Sequence, residues 1–230
     1  MPEPQIFKIN EQRMAVLAFN ETLPGTPIIF IHGIMSSINF WTSAENEFLN
    51  QRPWYALSLP GHYPASFPGG FHHSGLTAEL IAQTVSSAVQ HLVGDTPVML
   101  IGHSTGGFAA LATAAYAPDR VCGVVSISGF AQGKWTGALG ILQRLTKMSQ
   151  PGKALFRQNL KLMASSDQLY KAAFRVYAAD REALYTDPAL AVTAAVLYQD
   201  FQQLSTEAMF AYFRHMPDID ITAWLPKITA

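Results

Sequence analysis

The sequence predicts an α/β fold, a mostly parallel central sheet carrying an inserted helical cap. Three observations predict it: four short apolar runs without polar alternation, helix-period segments between them, and a long helical stretch that follows. The runs cover residues 28–31, 54–59, 98–101 and 121–127. Bounded by Gly and Pro, such runs are how strands read when helices cover both faces of a parallel sheet. Ahead of them, residues 5–9 and 13–19 are apolar segments separated by Asn10-Glu11, which suggests an antiparallel hairpin. Residues 77–93 place Ile81, Val85, Ala88, Val89 and Leu92 on one helix face, with Thr77 available as N-cap. Residues 106–116 are small and apolar and stop before Pro118, as a helix packed close to a sheet would. Strand and helix in alternation argue for right-handed crossovers. Beyond Phe130, residues 135–148, 153–180 and 189–215 read as helices, broken at Pro151-Gly152 and Asp187-Pro188, with no strand signal among them. The chain thus divides into an α/β core over 1–130, a helical cap over 131–222 and a return to the core at 223–230.

Composition narrows the function classes. At 49% hydrophobic and 13% charged, against roughly a quarter charged in average proteins, the chain is expected to fold throughout. Fifteen Lys and Arg against sixteen Asp and Glu give a net charge of -1, which supplies no electrostatic reason for a nucleic acid or an anionic membrane as partner. A neutral or apolar small molecule is the expected substrate. The single cysteine, Cys122, sits in an apolar run, which rules out a disulfide within the chain and predicts a buried thiol. The N-terminus lacks the basic and apolar regions of a signal peptide, and no apolar run approaches the ~18 residues of a membrane span. A soluble, cytoplasmic protein without membrane insertion is therefore expected.

The chemistry is carried by Gly102-His103-Ser104-Thr105-Gly106, which follows one apolar run directly and precedes a small-residue helix. This is G-x-S-x-G in a strand-turn-helix setting, with Ser104 as candidate nucleophile. A serine on so tight a turn is strained, and glycines two residues away on each side let strand and helix approach without Cβ clashes. The plainer reading is a Gly-rich turn with a helix-capping serine. A second piece is His32-Gly33 at the end of the 28–31 run. Acyl transfer passes through an oxyanion, which converging backbone N–H groups stabilise; Thr105 and Ile34 are placed to supply them. His32 itself is expected to fix the loop by hydrogen bonding. His62, His72, His73 and His91 with Asp95 show no metal-ligand spacing, so neither a metal nor a cofactor is expected. In the helical stretch, Trp135, Leu139, Leu142, Met148, Phe156, Met163, Phe174, Tyr177 and Phe210 are expected to be mostly core, some lining an acyl or aromatic pocket. The Phe-rich loop 67–71 is expected near the pocket mouth.

With these residues the chain resembles the α/β-hydrolase superfamily, in its serine-nucleophile branch with a helical cap, over essentially its whole length. The resemblance rests on the strand leading into His32-Gly33-Ile34, on Phe40-Trp41 opening the next helix, on Leu59-Pro60-Gly61-His62, and on residues 102–106. One departure is Ser58-Leu59-Pro60-Gly61-His62-Tyr63, where such proteins commonly have Asp-x-x-Gly-x-Gly. The resemblance implies the chain order Ser, acid, His, with the acid after a late strand and the histidine after the last one. His215, the one histidine past Ser104, lies in a helical segment. Ser128-Gly129-Phe130-Ala131-Gln132 holds no carboxylate, and Asp119 stands at the wrong end of its strand. Asp167, Asp180, Asp187, Asp200, Asp218 and Asp220 all fall in the expected cap. The resemblance therefore implies an acid and a base beyond Ala230, and the 230 residues alone are expected to be nearly inactive. The last apolar strand is expected to stand as an open sheet edge, completed by another chain or a following segment.

Two functions follow from different classes. The first is hydrolysis of an ester, thioester or C–C bond of a small, largely apolar substrate through an acyl-enzyme at Ser104, with perhydrolase and acyltransferase chemistry as neighbours. The serine excludes the haloalkane dehalogenase and epoxide hydrolase branches, which the family runs with Asp there. The second is a non-catalytic relative that binds a ligand or partner through the same pocket.

Overall fold

The computed structural model describes residues 2–44, 46–175 and 186–230. Strands β1 (Gln5–Ile9) and β2 (Gln12–Phe19) pair antiparallel across Asn10 and Glu11, both left-handed with φ of 45 and 66°. β3 (Ile28–Ile31), β4 (Trp54–Leu57), β5 (Val98–His103) and β6 (Val121–Ile127) follow. They make one sheet in the order β1-β2-β4-β3-β5-β6, parallel from β4 to β6, with β2 antiparallel to β4. Every residue of β3 is buried. Because β3 and β5 are parallel neighbours, the loops leaving their C-terminal ends emerge side by side, and open α/β sheets bind ligands at such ends.

Helix α1 (Ala78–Val93) buries Ile81, Val85, Ala88 and Val89, and the Thr77 hydroxyl accepts from the Leu80 N–H at 3.1 Å. Thr77→Ala leaves that amide without its cap and is expected to cost about 1 kcal/mol. A lower urea midpoint at unchanged slope would register the loss. Helix α2 (Thr105–Tyr116) is buried along most of its length and packs on α1, β5 and β6.

Four expectations are corrected. β6 is the outer strand, as expected of the last apolar run, but one side of it lacks the burial that the run predicts. Val125 and Ile127 are 44% and 43% exposed, and Cys122 is exposed for the same reason. The segment Ile38–Ala44, opened by Phe40-Trp41 in the sequence reading, is a 3-10 helix. The expected helix over 153–180 is two, α4 (Gln150–Ala164) and α5 (Asp167–Arg175). Between them the Ser165 hydroxyl donates to the Leu162 carbonyl and Ser166 caps the Leu169 amide, so the serines end one helix and start the next. Residues 176–180 of that expectation lie outside the described residues. Likewise 189–215 divides into α6 (Pro188–Gln202) and α7 (Thr206–His215), the second capped by Ser205 on the Ala208 amide.

Helix α3 (Gly137–Lys147) begins the helical segment, whose two ends meet. Gln132 and Asp220 form an antiparallel bridge, with Gly133 N–H donating to the Ile219 carbonyl at 3.0 Å and Ile221 N–H to the Ala131 carbonyl at 2.9 Å. The segment leaves the sheet and returns at one place. Residues 222–227 then form a 3-10 turn against α2, where Trp224 and Leu225 join the core. Among the described residues, no helix is long and apolar enough to cross a membrane.

Candidate active site

Ser104 stands alone between the end of β5 and the start of α2, at φ 54° and ψ -117°. A non-glycine residue there stores about 1–3 kcal/mol of strain and persists only where its surroundings over-determine it. They do: its N–H donates to the Ile127 carbonyl at 2.9 Å, and its carbonyl accepts from Phe108 N–H at 3.0 Å. A Cβ on Gly102 would stand 2.1 Å from the Gly106 carbonyl oxygen. One on Gly106 would stand 2.2 Å from the oxygen of Ile31. Strand, helix and neighbouring strand end thus touch backbone to backbone, which requires glycine at both positions. A Cβ on Gly33 would lie 3.3 Å from the Ser104 Cβ, so the loop after β3 rests directly against the serine. Thr105, buried, occupies the first helical position, where an amide has no intrahelical acceptor.

Two buried histidines shape that loop. His32 Nε2 accepts from Leu59 N–H at 3.1 Å, so the proton sits on Nδ1, which donates to the Gly33 carbonyl at 2.8 Å. His62 repeats the pattern: Nε2 accepts from Met35 N–H at 3.3 Å and Nδ1 donates to the Pro60 carbonyl at 3.3 Å. Burial pushes the His32 pKa down to about 4, and burial with the neighbouring His32 ring holds His62 well below the ordinary imidazole value. Both are neutral struts at physiological pH. From α7 the fully buried Tyr212 hydroxyl donates to the same Pro60 carbonyl at 2.9 Å. Between the struts Met35 is held left-handed, at φ 58°.

Over the serine lies a cavity of about 390 Å³. The loop supplies Gly33, Ile34, Met35, Ser36 and Phe40, the turn supplies His103 and Ser104, and the end of β6 supplies Ser128. The helices close it with Leu139, Tyr170, Phe174, Ala194 and Leu197. Among the described residues, no Lys, Arg, Asp or Glu lines it. His103 stacks on Phe40 with centroids 5.1 Å apart, and burial lowers its pKa.

Of the residues singled out from the sequence, Ser104, Ile34, Gly33 and His103 line the cavity, Gly102 and Gly106 hold the turn, and His32 lies beneath the loop. Leu139 and Phe174 reach the cavity, while Trp135, Leu142, Phe156, Met163 and Phe210 pack in the core and Met148 is exposed. Tyr177 lies outside the described residues. Phe67 and Phe71 stack on one another near Tyr212 and do not line the cavity. Sequence reasoning missed Met35, Ser36, Ser128, Tyr170, Ala194 and Leu197. The i,i+4 pair Tyr170 and Phe174 and the i,i+3 pair Ala194 and Leu197 are helix-face signals that could have found four wall positions.

His215 is engaged elsewhere, its Nε2 2.6 Å from His73 Nδ1, and burial lowers the pKa of both rings. Asp119 is exposed beyond α2. Asp167 pairs with Lys171, Asp218 with Lys147, Asp187 caps Leu190, and Asp220 bonds Gln132 and the Thr222 amide. Asp200 bonds Ser37 and Asn39. None of these lines the cavity, and Asp180 lies outside the described residues. His91 stacks on Phe7, and among the described residues no three His, Cys, Asp or Glu are grouped to hold a metal ion.

Known proteins share this architecture. The chain superposes on a thermophilic esterase from Thermogutta terrifontis with a TM-score of 0.71 at 18% identity, covering 98% of this chain and 77% of that one. For the Cif epoxide hydrolase from Acinetobacter nosocomialis the TM-score is 0.70 at 18% identity, covering 94% and 65%. For the enol-lactonase from Burkholderia xenovorans it is 0.68 at 13%, covering 98% and 78%. At such identities the likeness is one of fold. In sequence, the dihydrolipoyllysine-residue acetyltransferase component of the acetoin cleaving system of Pseudomonas putida is 30% identical over 110 residues, 48% of this chain and 28% of that protein. The human 1-acylglycerol-3-phosphate O-acyltransferase ABHD5 is 28% identical over 115 residues, 49% of this chain and 32% of that protein. Each match thus spans less than a third of the relative's length. The alpha/beta hydrolase family model matches residues 28–227, and together with the sheet order and the strained serine turn this establishes that the chain belongs to the alpha/beta hydrolase family.

Proposed function

We propose that the protein performs acyl transfer through Ser104 on an ester, thioester or activated C–C bond of an uncharged, largely apolar substrate. The carrying observation is the strained turn that presents Ser104 to a cavity walled by Ile34, Met35, Phe40, Leu139, Phe174 and Leu197, with no charged side chain among the described residues that line it. In this reading the Ser104 oxygen attacks the acyl carbon, and the amides of Ile34 and Thr105 receive the oxyanion. Collapse breaks the acyl carbon's bond to the leaving group, which departs with the proton the Ser104 hydroxyl gave up, and water or another acceptor then takes the acyl group while its own proton restores the hydroxyl. Residues 131–222, with helices α3 to α7, act as the cap, and the side chains of α3, α5 and α6 that line the cavity set which acyl groups fit. A charged acyl group would leave its ion unpaired there, which selects against it.

One observation favours a second reading, ligand binding without turnover. A hydroxyl needs a base to attack at neutral pH, and among the described residues no carboxylate lines the cavity and His215 is held by His73.

Fluorophosphonate labelling tests the first reading. Wild-type protein is expected to label at Ser104, read by peptide mass spectrometry, and Ser104→Ala to show none. If the wall lacks the base, added imidazole should speed labelling about tenfold or more, a fraction of what a positioned base supplies. Absence of labelling at Ser104 even with imidazole would favour the binding reading.

A further inference from the structure

The loop that bears Ile34 is held from beneath by His32 and His62, and from above by a side chain of the helical segment. That side chain is Asp200, in the last turn of α6. Its Oδ2 accepts from the Ser37 hydroxyl at 2.5 Å and from Asn39 Nδ2 at 2.7 Å. The Ser37 oxygen in turn accepts from the Asn39 N–H at 3.2 Å, which closes a small ring of bonds at the end of the loop. Ser37 is fully buried, so its hydroxyl has no solvent to turn to if the carboxylate withdraws.

Asp200 also shares a helix face with the cavity wall. Leu197 and Ala194 stand three and six residues before it, and both line the cavity over Ser104. An outward displacement of α6 at Leu197, less than one turn from Asp200, would carry Asp200 away from Ser37. The loop has strain to release when that happens, because Met35 is left-handed two residues before Ser37.

We propose that Asp200 is a positioning residue that lets the loop bearing Ile34 keep its oxyanion-binding shape only while α6 is closed on it, so that closure over substrate assembles the site. The proposal rests on the reading of Ser104 as nucleophile. Asp200 touches no reacting atom; it acts through Ser37 and Asn39.

Hydrogen exchange on the full chain reads the loop without any chemistry. Asp200→Ala is expected to speed exchange across residues 33–37 about tenfold or more, whereas Asp200→Asn, which keeps an oxygen for Ser37, should change it far less. Fluorophosphonate labelling reads the consequence. Asp200→Ala should lower the maximal labelling rate at Ser104 by about 10- to 100-fold with the half-saturating probe concentration little changed. Adding Ser37→Ala should bring clearly less than the sum of the two separate losses, since both substitutions break the Ser37–Asp200 contact. Wild-type exchange at 33–37 in Asp200→Ala overturns the proposal, and so does an additive loss with Ser37→Ala. If Asp200→Ala does not fold, Ser37→Ala carries the same test, with exchange and labelling required to change together. A wild-type protein that never labels refutes the nucleophile reading, while exchange alone still decides whether Asp200 holds the loop.

Discussion

Gly106→Ala is expected to destabilise the protein by about 3 kcal/mol or more and to remove labelling at Ser104. The new methyl would lie 2.2 Å from the Ile31 oxygen and 2.5 Å from the His32 oxygen. Both are backbone atoms at the end of the central strand, so no side-chain rotation relieves the clash. The relief available is to lift α2 from β3, which opens the turn and carries Ser104 away from the loop that rests against it. Gly69→Ala is the matched control, because nothing stands within 4 Å of its added methyl and its effect should stay within about 0.5 kcal/mol. Urea midpoints for the two variants, with Ser104 labelling in each, make the comparison. A Gly106→Ala protein that labels at the wild-type rate would show that the tight contact has no part in presenting the serine.

Acid is expected to weaken the fold well before the carboxylates titrate. The His32 pKa falls from 6.5 to about 4 on folding, chiefly through burial. Above pH ~6.5 neither the folded nor the unfolded chain protonates this ring, so it contributes nothing to the pH dependence. As the pH falls below that, the unfolded chain takes up a proton that the folded one refuses, and stability drops until about pH 4. Over the whole window His32 alone accounts for a loss of about 3 kcal/mol. His62 acts in the same direction, since its pKa is lowered by burial and by His32. Unfolding free energies measured from pH 7.5 down to pH 5 should give a slope of more than one proton taken up per molecule unfolded near pH 5. A His62→Asn variant should show a shallower slope whatever its absolute stability. Stability that stays level across that range would mean that the two rings are not held neutral in the folded protein.

The parts of this structure that were legible in the sequence are those set by neighbours along the chain. The ends of β3 coincide with its apolar run, because a buried strand must be apolar from end to end, and β6 matches its run in extent though not in burial. The turn at Ser104 was legible because its glycines, its strand and its helix are contiguous. Thr77 as a cap is local in the same way. What escaped was set across the sheet or across the helical layer. The exposure of Cys122 depends on which strand lies outermost, and strand order is not written in any one run. His62 stood in a motif without a stated role, because its partner, Met35, is 27 residues away. Asp200 looked like a misplaced acid because Ser37 stands 163 residues before it. The helix breaks at Ser165-Ser166 and Ser205 were missed because serine is tolerated inside helices, and only the capping bonds show that here it ends and begins them.

The bridge between Gln132 and Asp220 bears on how such a protein diversifies. A piece of chain that departs and rejoins through a single pair of residues can be lengthened, shortened or exchanged while the sheet beneath keeps its register. Among the described residues the obligations that travel with the piece include an oxygen that accepts from Ser37 and Asn39, a hydroxyl that meets the Pro60 carbonyl, and a ring that meets His73. The helical side of the cavity wall and the turn that holds Ser104 are therefore written in different stretches of one polypeptide.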